Sequence, residues 1–253
     1  MSLSHFKLDG RVAIVTGCNT GLGQGMALAL AQAGADIVGV NVSSPDDTKT
    51  QVEALGRRFM DLRANLSDIS CIAGLVNQAT QLTGSVNILV NNAGIIRRED
   101  AINFTEKDWD DVMDLNLKSG FFFSQAVARQ FMTQGTGGKI INVASMLSYQ
   151  GGVRVPSYTS SKSGVMGMTR ALANEWAKHN INVNAIAPGY MATDNTTALR
   201  ADEARNAAIL ERIPAGRWGV PADMAGPVVF LASEASNYVN GYTVAVDGGW
   251  LAR

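Results

Sequence analysis

Tyr158 and Lys162 stand four residues apart in the stretch Ser157-Tyr158-Thr159-Ser160-Ser161-Lys162. The run behind them, 164–178, has no proline and reads as a helix through Val165, Met168, Leu172 and Trp176. Positions i and i+4 of a helix lie one above the other, so a phenol and an ammonium can enter one pocket. A cation beside a phenol favours the phenolate and lowers a pKa that is otherwise about 10. Such a pair could take a proton from an alcohol or return one to a carbonyl. Spacing alone does not establish that chemistry, because chance supplies many such pairs. The rest of the chain must bring a partner to them.

A partner is signalled near the start. The β-branched run 11–16 reads as a buried parallel strand. It leads into Gly17-Cys18-Asn19-Thr20-Gly21-Leu22-Gly23 and then a helix through Met26, Leu28, Leu30 and Ala33. Glycines let the backbone turn tightly and approach a ligand, and the helix start offers free N–H groups to a pyrophosphate. Strand, glycine turn and helix together point to a dinucleotide, although the spacing is not Gly-x-Gly-x-x-Gly. The second strand, 35–41, ends at Asn41, where such folds meet the adenosine ribose. An acid there suits the 2′-OH of NAD and a nearby arginine suits the 2′-phosphate of NADP. Asn41-Val42-Ser43 and the glycine loop offer neither, so a 2′-phosphate lacks a charge partner and NAD is expected.

The remaining elements follow the same rhythm. Strands are expected at 59–64, 86–90, 139–145, 181–186 and 242–246, with helices at 46–58, 67–82, 106–134, 157–178 and 221–234. Asn65 and Leu66, after the third strand, could touch adenine. Asn91-Asn92-Ala93-Gly94, after the fourth, leaves room in the crevice where open parallel sheets bind ligands. Asn116 lies among the core positions Trp109, Val112, Met113, Leu115, Phe122, Phe123 and Val127 of the long helix, and a buried amide there needs a partner. Ser145 ends the fifth strand on the ligand side, and the loop 146–156 must carry it to Tyr158. The loosely patterned segment 190–217, with one helix near 200–210, reads as a cover over the site. The expected fold is α/β: one Rossmann-like doubly wound parallel sheet of about seven strands, helices on both faces, with 1–253 a single domain.

Bulk properties narrow the class. The 253 residues are 46% hydrophobic and 17% charged with a formal net charge of -1, enough for one large core and without the basic face of a nucleic-acid binder. Cys18 and Cys71, with His5 and His179, follow no metal spacing, so no metal is expected. The residues 1–10 lack the apolar core of a signal peptide, and no stretch is long and apolar enough to span a bilayer. A cytoplasmic protein without membrane or nucleic-acid partners is expected.

Thr16-Gly17-x-x-x-Gly21-x-Gly23, Asn91-Asn92-Ala93-Gly94, Asn116, Ser145, Tyr158-x-x-x-Lys162 and Pro188-Gly189 stand in one order over nearly the whole chain. Together they closely resemble the short-chain dehydrogenase/reductase family. The resemblance implies that Tyr158 is the general acid/base and that Lys162 lowers its pKa and holds the nicotinamide ribose. It implies that Ser145 hydrogen-bonds the substrate oxygen and Asn116 holds a water linking Lys162 to solvent. It further implies that Gly17, Asn19, Thr20, Gly21, Leu22 and Gly23 hold the pyrophosphate. Asn41, Asn65, Leu66, Asn92, Ala93, Gly94, Pro188, Gly189 and Thr193 would lie along the cofactor. The chain departs from the family at Asn65, where many members carry Asp, and at Asn41, where NAD users often carry an acid.

Arginines suggest the substrate. Arg97 and Arg98 follow the Asn91–Gly94 turn, and Arg154 precedes Tyr158. A guanidinium beside the site suits a carboxylate. With the polar Gln150, Tyr190, Asn195 and Thr196, a small sugar acid fits better than a steroid. Stretches such as 94–101, 144–148, 152–158, 174–180 and 213–219 resemble family members that act on deoxy sugar acids in uronate breakdown. A 3-oxoacyl-(acyl carrier protein) reductase is the rival enzyme and is expected to need NADPH. A non-catalytic dinucleotide-binding regulator could afford to lose Ser145, Tyr158 or Lys162, yet all three are present. Relatives are commonly homotetramers, and the helices 106–134 and 157–178 could pair across two-fold axes.

Overall fold

The computed structural model describes residues 3–253. Met1 and Ser2, part of the stretch read above for a signal segment, lie outside the described residues. The strands are β1 (Val12–Thr16), β2 (Asp36–Asn41), β3 (Phe59–Arg63), β4 (Ile88–Asn91), β5 (Gly138–Val143), β6 (Ile181–Pro188) and β7 (Thr243–Val246). The helices are α1 (Gly21–Gln32), α2 (Asp46–Ala54), α3 (Ile72–Thr83), α4 (Glu106–Met113), α5 (Ser119–Gln134), α6 (Pro156–Trp176), α7 (Thr197–Ala201), α8 (Glu203–Arg212) and α9 (Ala225–Ala232).

All strand pairs are parallel, in the order β3-β2-β1-β4-β5-β6-β7. The chain winds from β1 to one edge, returns to β4 and winds to the other. The reversal between β1 and β4 opens a crevice at the carboxyl ends of the strands, where such sheets take ligands. Side chains alternate along each strand. Ala13 and Val15 enter a core with Met26 and Leu30 of α1 and Val228 and Leu231 of α9. Val12 and Ile14 enter the opposite core with Val76 of α3, Phe123 and Val127 of α5 and Leu172 of α6. Both faces are thus covered, which explains why β1 reads as a continuous apolar run. Each fully buried side chain such as Ile14 or Ile140 contributes about 1.5–3 kcal/mol by leaving water.

Three elements differ from the sequence expectation. The long helix at 106–134 is interrupted by a π-helical turn, Asp114–Lys118, which carries Asn116. Trp109, read as a core position, is 38% exposed because the buried face of α4 runs through Val112 instead. The helix expected at 221–234 resolves into a 3-10 turn, Pro221–Met224, followed by the shorter α9. In the segment 190–217, one expected helix is two. Asp202 leaves helical geometry at φ -81°, ψ 104° and its side chain accepts from Arg205 N–H, so α7 ends and α8 begins there.

Candidate active site

Proline at the first position of α6 pre-sets the helical φ and places Tyr158 and Lys162 on its first two turns, at the mouth of the crevice. Lys162 is 5% exposed. Its Nζ donates to the Val143 carbonyl at 2.7 Å and lies 5.7 Å from the centre of the Tyr158 ring. Ser145 follows β5 and caps a 3-10 turn, accepting from Leu147 N–H at 3.1 Å. Its hydroxyl is also hydrogen-bonded to the Tyr158 phenol. Ser148 ties that turn to α6, donating to the Lys162 carbonyl at 2.6 Å. Ser145, Tyr158 and Lys162 therefore meet.

Burial governs the ionisation here. It pushes the Tyr158 phenol up, partly offset by the Ser145 hydrogen bond and then by the charge of Arg98. Burial also pulls Lys162 down to about 8. The expected lowering of the phenol by Lys162 is not what this arrangement gives: the ammonium is turned to the Val143 carbonyl.

Asn116 is 5% exposed and clamps one residue from both sides. Its Oδ1 accepts from Ile95 N–H at 2.8 Å, and its Nδ2 donates to the Ile95 carbonyl at 2.9 Å and to Ser161 Oγ at 3.3 Å. The π turn supplies the extra residue that aims this amide at the β4 exit. Beneath it, Asn91 Nδ2 donates to Asn142 Oδ1 at 2.9 Å, and Asn142 Nδ2 donates to Thr169 Oγ1 at 3.0 Å. This buried chain joins β4, β5 and α6. Asn142 and Thr169 read as ordinary strand and helix residues in the sequence, whereas Asn91 belongs to the motif 91–94.

The glycine loop fits a nicotinamide dinucleotide. Gly17 and Gly21 have φ of +64° and +59°, the left-handed region that glycine adopts freely. A Cβ at Gly23 would lie 2.0 Å from the Gly17 carbonyl oxygen. The loop is anchored by Thr48 Oγ1, which donates to the Cys18 carbonyl at 2.7 Å, and by Asn92 Nδ2, which donates to the Gly17 carbonyl at 2.9 Å. Ala93 N–H and Asn92 N–H both donate to Thr16 Oγ1. Thr193 packs over Gly21, its Cγ2 3.7 Å from where a Cβ would stand. Pro188 ends β6, and Gly189 N–H donates to Val246. Thr20 stands at the N-cap of α1, whose first turn holds Leu22. Asn19 Nδ2 donates to Ser43 Oγ at 2.9 Å. Asn65 Oδ1 accepts from Ser67 N–H, and Leu66 is buried. Asn92, Ala93, Gly94 and the glycine loop thus frame one crevice. Thr48, which anchors it, lies in α2 with no sequence signal.

Two sets of expectations are corrected. Asn41 does not present its amide to a ribose: it is 2% exposed, accepts from Cys18 N–H at 2.8 Å and donates to Cys18 Sγ at 3.6 Å. Among the expected substrate residues, Arg97 is paired with Asp108 and Asp111 at 3.5 and 3.4 Å. Arg154 is paired with Asp100 and Glu99 at 3.1 and 3.8 Å, and Gln150 Oε1 accepts from Arg212 at 3.3 Å. Arg98, by contrast, has no carboxylate partner among the described residues; its Nη2 donates to the Asn195 carbonyl at 3.5 Å and its charge reaches Tyr158. The segment 190–217 packs Tyr190, Ile209 and Ile213, joined by Trp218 just after it, on Met146 and Trp250, beside the Ser145 turn.

A family model described as enoyl-(acyl carrier protein) reductase matches residues 17–251. The chain is 71% identical, over its full length and theirs, to proteins named 2-dehydro-3-deoxy-D-gluconate 5-dehydrogenase from Escherichia coli strain K12 and Dickeya dadantii strain 3937. It superposes with a TM-score of 0.93 on a crystal structure of a candidate 2-deoxy-D-gluconate 3-dehydrogenase from Agrobacterium tumefaciens with bound NADP. That protein is 55% identical, with 98% of this chain and 99% of that one covered.

Proposed function

The chain belongs to the short-chain dehydrogenase/reductase family, and from that premise we propose that it interconverts 2-dehydro-3-deoxy-D-gluconate and its 2,5-diketo product with NAD. The meeting of Ser145, Tyr158 and Lys162, with the charge of Arg98 acting on Tyr158, carries the reading. The full-length identity to the two named dehydrogenases supports this substrate over other sugar acids.

Ser145 and Tyr158 hold the substrate oxygen between two hydroxyls. In oxidation the Tyr158 oxygen takes the proton from the alcohol, and in reduction it returns that proton to the carbonyl oxygen. Lys162 stands beside the phenol ring, and its pKa, depressed by burial to about 8, lets it exchange a proton near neutrality. Asn116 holds the β4 exit in place. A bound nicotinamide supplies the hydride acceptor or donor. Residues 17–23, Asn92, Ala93, Gly94, Pro188, Gly189 and Thr193 hold it, and the absence of an outward cation at Asn41 favours NAD. Arg98 takes the substrate carboxylate in place of Arg97 and Arg154, which are paired with carboxylates, and of Gln150, whose Oε1 accepts from Arg212. The segment 190–217 covers the bound acid, and residues 1–253 act as one catalytic domain.

A homotetramer accounts for the shallow cavity of about 420 Å³ between α4, α5 and α6, lined by Met113, Leu117, Phe121, Phe122 and Met168. A cytoplasmic setting agrees with the free Cys18 and Cys71. No helix among the described residues is long and apolar enough to cross a membrane.

Absorbance of reduced nicotinamide, followed with hexonates, keto-deoxy acids and neutral alcohols, tests the reading. Turnover of the keto-deoxy hexonate is expected, with Arg98→Ala raising its KM by about 10–100-fold, the worth of one charge-assisted contact. Turnover only with NADP and an acyl thioester would overturn it.

A further inference from the structure

The amino ends of the strands, at the opposite end of the sheet from the crevice, frame a second cavity of about 690 Å³. That lies within the range of small-molecule sites, about 300–1,000 Å³. Strand register builds its floor. Lys139, the second residue of β5, pairs with Ile88 of β4 on one side and Asn182 of β6 on the other. Residues paired across neighbouring strands point to the same face of the sheet. Lys139 Nζ accordingly donates to Asn182 Oδ1 at 2.8 Å. The 3-10 turn Glu234–Ser236, just after α9, closes that face. Lys139 Nζ also donates to Asn237 Oδ1 at 2.7 Å and to Ser236 Oγ at 3.4 Å.

These three partners of Lys139 are all neutral, and the side chain enters no ion pair among the described residues. A buried ammonium without a counter-charge costs stability. Two more cations, Lys7 and Arg11, line the same cavity. Glu234 is its one carboxylate, and it is divided between Arg11 Nη2 at 3.6 Å and His5 Nδ1 at 3.5 Å. Three cations therefore face a single carboxylate, which leaves two positive charges unmatched. At the rim, the Asn180 amide and the Tyr238 phenol are exposed.

We propose that this cavity binds a small phosphate monoester of the sugar phosphate class, its phosphate held by Lys7, Arg11 and Lys139 and its hydroxyls by Asn180 and Tyr238. A phosphate dianion matches the two unmatched charges, where a carboxylate matches one. Its three terminal oxygens suit the planar fork of Arg11 together with two ammonium groups. The cavity is far larger than a bare phosphate and has room for a polar carbon body. None of these residues belongs to the crevice at the carboxyl ends, so the site is independent of the dehydrogenase reading. Lys7, Arg11 and Lys139 are scattered in the sequence, and only strand packing gathers them.

Calorimetric titration of the full chain with glucose 6-phosphate, inorganic phosphate and glucose, at constant ionic strength, tests it without any turnover. Glucose 6-phosphate is expected to bind more tightly than inorganic phosphate, and glucose not to bind. Arg11→Gln and Lys139→Met should each weaken glucose 6-phosphate about tenfold. Arg11 is exposed, so its variant keeps the test valid even where Lys139→Met fails to fold. Glu234→Gln removes the competing carboxylate and should tighten binding about three- to tenfold, a gain that a purely structural cluster would not give. Excess NAD+ should not displace the ester, because the glycine loop lies at the other end of the sheet. Four results would each overturn the site: no binding by wild type, binding of inorganic phosphate alone, displacement by NAD+, or an affinity unmoved by Arg11→Gln.

Discussion

Replacing Asn116 by alanine removes three hydrogen bonds from a position that is 5% exposed. Ser161 keeps its bond to the Tyr158 carbonyl at 2.8 Å. Ile95 fares worse, because its N–H and its carbonyl both lose the side chain that pairs them. Each lost bond is worth about 1 kcal/mol net, and an orphaned buried group about 1–3 kcal/mol. Ile95 is only partly buried, so water recovers some of this. The expected destabilisation is about 2–4 kcal/mol, or about 5–15 °C in Tm for a chain of this size. Urea titration of the purified variants, followed by tryptophan fluorescence, measures it. Asn116→Asp keeps the acceptor for Ile95 N–H but aims an oxygen at the Ile95 carbonyl, so it should lose at least as much. Thr133→Ala, on the exposed side of α5, should stay within about 0.5 kcal/mol. An Asn116→Ala protein as stable as Thr133→Ala would refute the clamp, as would an Asn116→Asp protein as stable as wild type. Because Ile95 adjoins Gly94 at the cofactor crevice, kcat should fall in both Asn116 variants.

Tyr158→Phe should lower kcat by about 10²–10⁴-fold while the calorimetric affinity for NAD+ changes little, and a variant with more than a tenth of wild-type turnover would remove the phenol from the mechanism. Gly23→Ala places a methyl 2.0 Å from the Gly17 carbonyl oxygen and 2.5 Å from Asn92 Nδ2, so dinucleotide binding should be lost by about 100-fold or more. Gly74→Ala, inside α3 with nothing within 4 Å of the new methyl, should instead stabilise by up to about 1 kcal/mol, read by thermal melting. Lys139 is 9% exposed and burial lowers it from 10.5 to about 8. The folded chain therefore releases this proton first. The stability it contributes is fully present above pH 10.5 and is lost as pH falls through 8. Relative to Lys139→Met, the wild type should gain about 3 kcal/mol between those limits by denaturant titration, and parallel curves would contradict this.

The sequence by itself determined the sheet and the juxtaposition of Tyr158 with Lys162. Short apolar runs spaced by helices dictate a parallel sheet buried on both faces, as 12–15 of β1 shows. The i, i+4 spacing of Tyr158 and Lys162 puts both on one helix face, and the glycines at 17, 21 and 23 leave room that no side chain could. These are local facts of backbone geometry, readable from neighbours along the chain. Tertiary structure alone decided which polar groups remain available. Asn41 is consumed by Cys18, and Arg97 and Arg154 are neutralised by carboxylates, whereas Arg98 has no carboxylate partner among the described residues. Strand register placed Arg63 opposite Asn41, although it lies 22 positions further along the chain. The π turn carries Asn116, whose amide grips Ile95, a contact 21 residues distant. Hydrogen bonds and ion pairs depend on distances of a few ångströms between elements far apart in sequence, and periodicity carries no record of them.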